Sequence, residues 1–219
     1  AIITGVYQTT LGTHHMRSGG EGVERSAKPV PPPFIKCFSE YLRNVGYYCT
    51  NNSKQDYQFI APKSAWDESS KTAHWKNRPD KDQPFFAVFN YGGTHEGSVR
   101  LSDEAHAERT RRLTPDQRQN PETMTTLPPY YPDTPPVRKR WANYYELITV
   151  LDYVAADLLK ELKDEGVADD TIVFFWSDHG VGLPRAKRWL YDSGTHVPLI
   201  VKIPEKYRRN GQADPGTVD

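Results

Sequence analysis

The sequence contains 219 residues, of which 37% are hydrophobic and 26% are charged. Lysine plus arginine and aspartate plus glutamate each total 28, so no net field favours nucleic acid or an anionic membrane as a partner. No apolar stretch approaches the roughly 20 residues that span a bilayer, and no N-terminal segment has the basic and apolar parts of a signal peptide. A chain of this length forms either one core or a large piece of a bigger domain.

Both ends favour the second reading. The chain starts with Ala1-Ile2-Ile3-Thr4-Gly5, which has no initiating Met and is typical of the end of a helix. Residues 214–219 stop where a new element would begin. We therefore expect an internal fragment, the central part of a single domain over residues 1–219, whose sheet is incomplete at both ends.

The two cysteines, Cys37 and Cys49, are too few for a disulfide framework. Neither has a second metal-type ligand at the spacing of a zinc site. We predict that both are buried free thiols.

Three apolar runs predict strands, and polar residues follow each of them. The runs are residues 47–50, 84–90 and 171–176. A short helix, with apolar side chains at helical spacing from Ile35 to Val45, precedes the first run. The last run is rich in β-branched and aromatic residues, which is typical of a strand covered on both faces.

A long amphipathic helix is predicted over residues 141–165, with Gly166 as its stop signal. Residues 101–140 are charged and proline-rich, so we expect a long irregular excursion there. Strand, helix and strand in this order predict an α/β fold with a largely parallel mixed sheet flanked by helices.

Asp178 and His179 lie one residue past the end of the third predicted strand, where open α/β sheets place their ligand sites. Aspartate suits Ca²⁺, which needs six or more oxygen-rich ligands, whereas the histidine suits a transition metal about as well. A structural alternative is that Asp178 caps the next turn and His179 packs near the surface. Lys187, taken alone, is most simply a solvated surface lysine.

The predicted strands and the polar residues that follow them indicate a function more specifically when they are considered together. Gly46-Tyr47-Tyr48-Cys49-Thr50 leads to Lys54, the second strand leads to His95, the third leads to Asp178-His179, and Lys187 lies four residues before Tyr191. In this order and context the chain resembles the type I, formylglycine-dependent sulfatases of the alkaline-phosphatase-like superfamily. The resemblance covers nearly the whole chain, and Thr13-His14-His15-Met16-Arg17-Ser18 looks most like bacterial members that are similar to heparan N-sulfatase and polysaccharide sulfatases.

The resemblance implies a sulfuric ester or sulfamate hydrolase that acts on a sulfated carbohydrate. In that family a cysteine oxidised to formylglycine attacks sulfur, beside one divalent cation, Ca²⁺. By position, Asp178 and His179 resemble two of the metal ligands, and Lys54 and Lys187 resemble the lysines that hold the sulfate. His95 resembles the histidine that protonates the leaving group.

Some positions depart from the family pattern or are open. Asp56 stands where many members have a histidine, and it is a candidate base or substrate contact. His14, His15 and Arg17 are candidates to line the substrate pocket, with an ordinary polar loop as the equal alternative.

The family's nucleophile is not in this sequence. Neither Cys37 nor Cys49 is followed by Pro-Ser-Arg, so the formylglycine cysteine and two metal-binding aspartates would lie before Ala1. We therefore expect this polypeptide to be inactive by itself.

Other readings stay open. One is a phosphatase or phosphonate hydrolase of the same superfamily, and another is a catalytically inactive relative that binds sulfated glycans. A third is a fragment that does not fold alone. The resemblance also implies a periplasmic or secreted location, with sulfated carbohydrate and neither nucleic acid nor membrane as partner.

Overall fold

The computed structural model describes residues 1–14, 28–125 and 127–209. The chain divides into two compact units, Ala1–Asn90 and Tyr91–Asp219. The first unit contains helix α1 (Phe38–Asn44) and strands β1 (Tyr48–Asn52), β2 (Glu68–Ser69) and β3 (Phe85–Phe89). The second contains helices α2 (Glu96–Val99), α3 (Asp103–Arg109), α4 (Pro135–Asp164) and α5 (Asp192–Thr195), and strands β4 (Val173–Trp176) and β5 (Leu199–Lys202). That both units belong to one catalytic domain stays a prediction.

The first unit is built on a parallel sheet of three strands in the order β2-β1-β3. Tyr48 lies opposite Phe85 and Asn52 opposite Phe89, so β1 and β3 end at the same edge of the sheet. The polar residues that follow both strands therefore leave the sheet at one edge. This confirms the predicted α/β fold with parallel strands.

Both cysteine side chains lie in the core of the first unit. Cys37 and Cys49 are buried together with Phe59 and Trp66, and Phe86 packs against this cluster. Burial raises the pKa of the Cys37 thiol to about 11 and that of the Cys49 thiol to about 12. The prediction of two buried free thiols is confirmed, and neither is an activated nucleophile.

The second unit is organised around the 30-residue helix α4. The helix begins at Pro135, six positions before the predicted start at 141. Prolines at the first two helical positions have no unsatisfied N–H group and a preset φ, so they start the helix instead of preventing it.

The segment 101–140 is also more regular than predicted. It contains α3, and Ser102 caps that helix because its Oγ accepts a hydrogen bond from the Ala105 backbone N–H at 3.3 Å. Met124, Leu127 and Tyr131 pack with Trp141 at the start of α4. The proline-rich stretch is therefore attached to the long helix.

Strand β4 differs from its prediction in two ways. It pairs antiparallel with β5, from Val173 opposite Lys202 to Trp176 opposite Leu199. It is not covered on both faces, since the Phe174 side chain is 56% exposed. An apolar run identifies a strand but not its neighbours, and among the described residues β5 is the partner of β4.

Over the part of the chain that the structure describes, no helix combines the length and the apolar character needed to cross a lipid bilayer. Helix α4 is long enough, but it is amphipathic and has many charged residues.

Replacing Leu147 by alanine is expected to destabilise the protein by about 3 kcal/mol, because Leu147 is a fully buried side chain of α4 and its loss leaves a cavity. Urea unfolding followed by tryptophan fluorescence measures the effect. The neighbouring Ile148→Ala is the matched control, since Ile148 is partly exposed, and its cost should be below about 1 kcal/mol. Equal midpoints for the two variants would contradict this packing.

Candidate functional site

His95 lies at the start of α2, after the segment that follows β3. It is the residue immediately before the helix, and its ring is exposed. The sequence predicted that His95 is a site residue that follows the end of a strand. In the structure, His95 lies close to another predicted site residue.

Lys187 is that second residue. Its Nζ lies 3.0 Å from His95 Nε2, although the two residues are 92 positions apart in the chain. The Lys187 side chain is only 10% exposed, so the reading of a solvated surface lysine is wrong. The backbone N–H of Lys187 donates to the Val181 carbonyl oxygen at 3.0 Å, which ties the lysine to the segment after His179.

The contact between Lys187 and His95 determines where the imidazole proton lies. An ammonium group can only donate, so His95 Nε2 accepts and the proton of the neutral ring is on Nδ1. The Gly97 backbone N lies 3.3 Å from Nδ1, which would require Nδ1 to accept as well. We assign the acceptor role to Nε2, because the lysine contact is shorter and charge-assisted.

A carboxylate and a guanidinium complete this cluster. Glu96 Oε1 and Oε2 accept hydrogen bonds from Arg188 at 2.8 and 2.9 Å, and Oε2 lies 3.5 Å from Lys187 Nζ. These hydrogen bonds from Arg188, together with the charges of Lys187 and Arg188, lower the pKa of Glu96 to about 2. Glu96 is therefore an anion at every pH at which the protein is expected to work.

Glu96 and Arg188 were not predicted from the sequence as site residues. Each of them directly follows a predicted site residue, His95 and Lys187, and the two carry opposite charges. The sequence therefore did contain a signal for them, namely a charged residue directly after each of two predicted site residues, with opposite signs.

Asp178 and His179 follow β4, as predicted. Asp178 Oδ2 lies 3.6 Å from His179 Nε2, and the His179 Nδ1–H donates to the Gly180 carbonyl oxygen at 2.7 Å. Two donors on one cation, each at ~2.4 Å, lie roughly 3.4 Å apart when they are neighbours in its shell. A backbone acceptor on the other ring nitrogen is also the usual way to orient a metal-binding histidine. The two residues therefore fit a shared cation.

They do not make a complete shell. Over residues 1–14, 28–125 and 127–209, no three His, Cys, Asp or Glu side chains are grouped in a way that could hold a metal ion. Asp178 is 68% exposed, which leaves its oxygens accessible to a cation. Ca²⁺ needs more ligands than these two residues supply.

Lys54 and Asp56 lie in the first unit, in the segment that follows β1. Lys54 Nζ is 3.4 Å from Asp56 Oδ2, and both side chains are about half exposed. The buried Asn51 Nδ2 donates to the Lys54 carbonyl oxygen at 3.4 Å, and Asn51 Oδ1 accepts from Asn90 Nδ2 at 2.9 Å. Asn51 thereby links the segment after β1 to the end of β3, a role that the sequence analysis did not identify.

The remaining predicted substrate contacts lie near the start of the chain. His14 is exposed, whereas His15 and Arg17 lie outside the described residues. The roles of all three in substrate binding stay predictions.

A sequence model of the sulfatase family matches residues 7–219. The chain belongs to the sulfatase family. This match confirms the resemblance that the strand ends and their polar residues indicated.

Individual sulfatases show how far the similarity extends. The chain is 41% identical over 233 residues to an ulvan-active sulfatase of Formosa agariphila, an alignment that covers 94% of the chain and 39% of the relative. It is 34% identical over 142 residues to the human N-sulphoglucosamine sulphohydrolase, covering 64% of the chain and 26% of that protein. The chain thus spans well under half the length of these curated relatives.

Proposed function

We propose that the protein hydrolyses a sulfate ester or sulfamate on a sulfated carbohydrate. The family supports the reaction, and the relatives' names, ulvan-active sulfatase and N-sulphoglucosamine sulphohydrolase, support the substrate class. The observation that carries the proposal is the 3.0 Å contact between Lys187 Nζ and His95 Nε2. It brings together a cation and a proton carrier, which are two of the groups that this reaction requires.

Sulfate is a poor electrophile until positive charge neutralises its oxygens. Lys187 supplies such a charge, and its ammonium can donate to a sulfate oxygen. The ammonium has three N–H donors, so it can turn one of them from His95 Nε2 to that oxygen while it stays beside Glu96, and Nε2 then takes up a proton from water. A protonated His95 then delivers that proton to the departing sugar oxygen or nitrogen as a general acid.

Lys54 is proposed as the second cation for the sulfate group, with Asp56 beside it. The 3.4 Å ion pair leaves both side chains about half exposed, so an incoming anion can compete for the ammonium at little cost. Asp56 is also in reach of a substrate that contacts Lys54, as a base or a hydrogen-bond acceptor.

Asp178 and His179 are proposed to hold Ca²⁺. When bound, the cation would withdraw charge from a sulfate oxygen. Among the residues of this sequence, no cysteine fits formylglycine, because the Cys37 and Cys49 thiols are both buried in the core of the first unit. That nucleophile is therefore proposed to come from a part of the protein beyond this sequence.

Replacing Asp178 by asparagine is expected to weaken Ca²⁺ binding by more than about 10-fold, since even partners that only orient ligands change metal affinity by that factor. Calorimetric titration of the metal-free full-length polypeptide with Ca²⁺ measures the change. Asp152→Asn, at an exposed position on α4, is the matched control and should bind like the wild type. Unchanged affinity in Asp178→Asn would contradict the proposed ligand.

The proposed reaction is tested by comparing 4-nitrophenyl sulfate with 4-nitrophenyl phosphate as substrates of the full-length polypeptide that carries this sequence. The leaving group is identical, so the ratio of kcat/KM reports the transferred group alone. A large preference for the sulfate supports the proposal. A preference for the phosphate would favour the phosphatase alternative, and binding of sulfated glycans without turnover of either ester would favour an inactive relative.

A location in the periplasm or outside the cell is proposed as well, because sulfated polymers are extracellular. Cell fractionation followed by immunoblotting tests it, and protein confined to the cytoplasm would contradict it.

A further inference from the structure

We propose that Glu96 is a positioning residue, whose carboxylate, fixed by Arg188, holds the Lys187 ammonium against His95 Nε2. This deepens the proposed function and rests on it for the catalytic consequence, but the geometric claim can be tested separately.

The contacts form an unbroken chain from Arg188 to His95. Arg188 donates to both oxygens of Glu96, at 2.8 and 2.9 Å, so the plane of the carboxylate is fixed by two hydrogen bonds. Oε2 then lies 3.5 Å from Lys187 Nζ, which itself lies 3.0 Å from His95 Nε2. Lysine has a flexible four-carbon stem, and the fixed anion restricts where its ammonium can lie.

Burial makes the anion necessary. The Lys187 side chain is 10% exposed and that of Glu96 18%, so water does little to stabilise either charge. Without Glu96, two cations from neighbouring residues, Lys187 and Arg188, would lie together beside the imidazole. With it, the cluster has a net charge of +1, which is sufficient to attract an anion while keeping the lysine in place.

The backbone around the cluster is shaped for this close approach. A Cβ on Gly182 would lie 2.2 Å from Glu96 Cβ and 2.5 Å from its Cα, so only glycine fits against the start of α2. Arg188 has φ of +74°, which is unfavourable for any residue other than glycine. Such a conformation persists where surrounding contacts hold it, and the two hydrogen bonds to Glu96 are contacts of that kind.

Glu96→Gln tests the proposal because it keeps the shape of the side chain and removes its charge. In the full-length polypeptide, ¹⁵N NMR of the imidazole ring, assigned with His95→Gln, reports whether Nε2 accepts a hydrogen bond. We expect the wild-type signal of an accepting Nε2, and a shift of that signal in Glu96→Gln as Lys187 moves away. Glu108→Gln, at a solvent-exposed Glu–Arg pair, is the control and should leave the signal unchanged.

Kinetics provide the second readout. With a sulfated substrate, Glu96→Gln should lower kcat by roughly 100-fold with a small change in KM, the size of effect expected from misplacing a catalytic group by about 1 Å. Glu96→Asp, which keeps the charge, should recover at least part of the loss. If Glu96→Gln unfolds, Arg188→Gln tests instead the fixing of the carboxylate, and it should change the imidazole signal and kcat in the same direction, because the released carboxylate no longer holds the ammonium.

The two readouts separate this inference from the proposed function. A shifted imidazole signal in a protein that hydrolyses no sulfate ester would support the positioning role while contradicting the reaction. An unshifted signal in Glu96→Gln, or a lower melting temperature with unchanged kcat, would overturn the positioning role even in an active sulfatase.

Discussion

Replacing His95 by alanine is expected to lower kcat for a sulfated carbohydrate by about 100- to 10,000-fold, the usual range for loss of a general acid. A sugar hydroxyl or amine is a poor leaving group, and His95, the proposed proton donor, lies 3.0 Å from Lys187 Nζ. KM should change little, because the variant keeps the residues that are proposed to bind the sulfate and the metal ion. The measurement is steady-state kinetics of the full-length polypeptide.

The leaving group provides an internal control for this prediction. 4-Nitrophenol departs as a stable anion and needs less protonation, so His95→Ala should lose much less activity on 4-nitrophenyl sulfate than on a sugar sulfate. His196→Ala, which removes an exposed histidine of the same unit, should keep wild-type activity on both substrates. An equal loss on both substrates in His95→Ala would mean that His95 acts on something other than the leaving group.

Replacing Glu146 by alanine is expected to destabilise the protein by about 3 to 5 kcal/mol, the usual cost of removing one partner from a buried ionic network. Glu146 is a buried acid on α4. Its Oε2 contacts His106 Nε2 at 2.9 Å and Arg118 Nη1 at 3.0 Å, and its Oε1 accepts from the Gln119 backbone N–H at 3.0 Å. The one carboxylate thus joins α3, the segment after it and α4.

Urea unfolding of the full-length polypeptide measures this effect. Glu146→Gln should cost less than Glu146→Ala, since an amide keeps one acceptor oxygen for the Gln119 N–H or for Arg118. Asp152→Ala, at an exposed acid of the same helix, should change the free energy of unfolding by less than about 0.5 kcal/mol. If Glu146→Ala were as mild as Asp152→Ala, the buried carboxylate would not hold these elements together.

The strands and the long helix could be predicted from the sequence because local pattern determines them. The three apolar runs became β1, β3 and β4, and the amphipathic stripe became α4. The start of α3 carried a readable signal as well, Ser102 followed by two acidic residues, which was outweighed by the surrounding charges and prolines.

The features that could not be predicted from the sequence are those that depend on contacts between segments far apart in the chain. No local feature says that β4 pairs antiparallel with β5, or that Phe174 is exposed. Glu146 illustrates the same limit, since an acid on a helix is ordinarily solvated. It is buried here because His106 and Arg118, 40 and 28 positions earlier in the chain, supply its partners.

For the candidate site, the residue types at the strand ends predicted the participants and the family resemblance predicted their roles. The structure adds that His95 and Lys187 are in direct contact. It also adds Glu96 and Arg188. Their contacts with each other and with Lys187 join residues that are far apart in the chain, so no local sequence pattern indicates these contacts. The catalytic and metal-binding roles of these residues stay predictions.

The most direct measurement is release of inorganic sulfate from sulfated polysaccharides by the full-length polypeptide, quantified by ion chromatography for the wild type and for His95→Ala. We predict that the wild type releases sulfate from at least one such polymer in the presence of Ca²⁺, and that His95→Ala loses at least about 100-fold of that rate. Absence of sulfate release from every polymer, or an undiminished rate in His95→Ala, would contradict a sulfatase site built on His95 and Lys187.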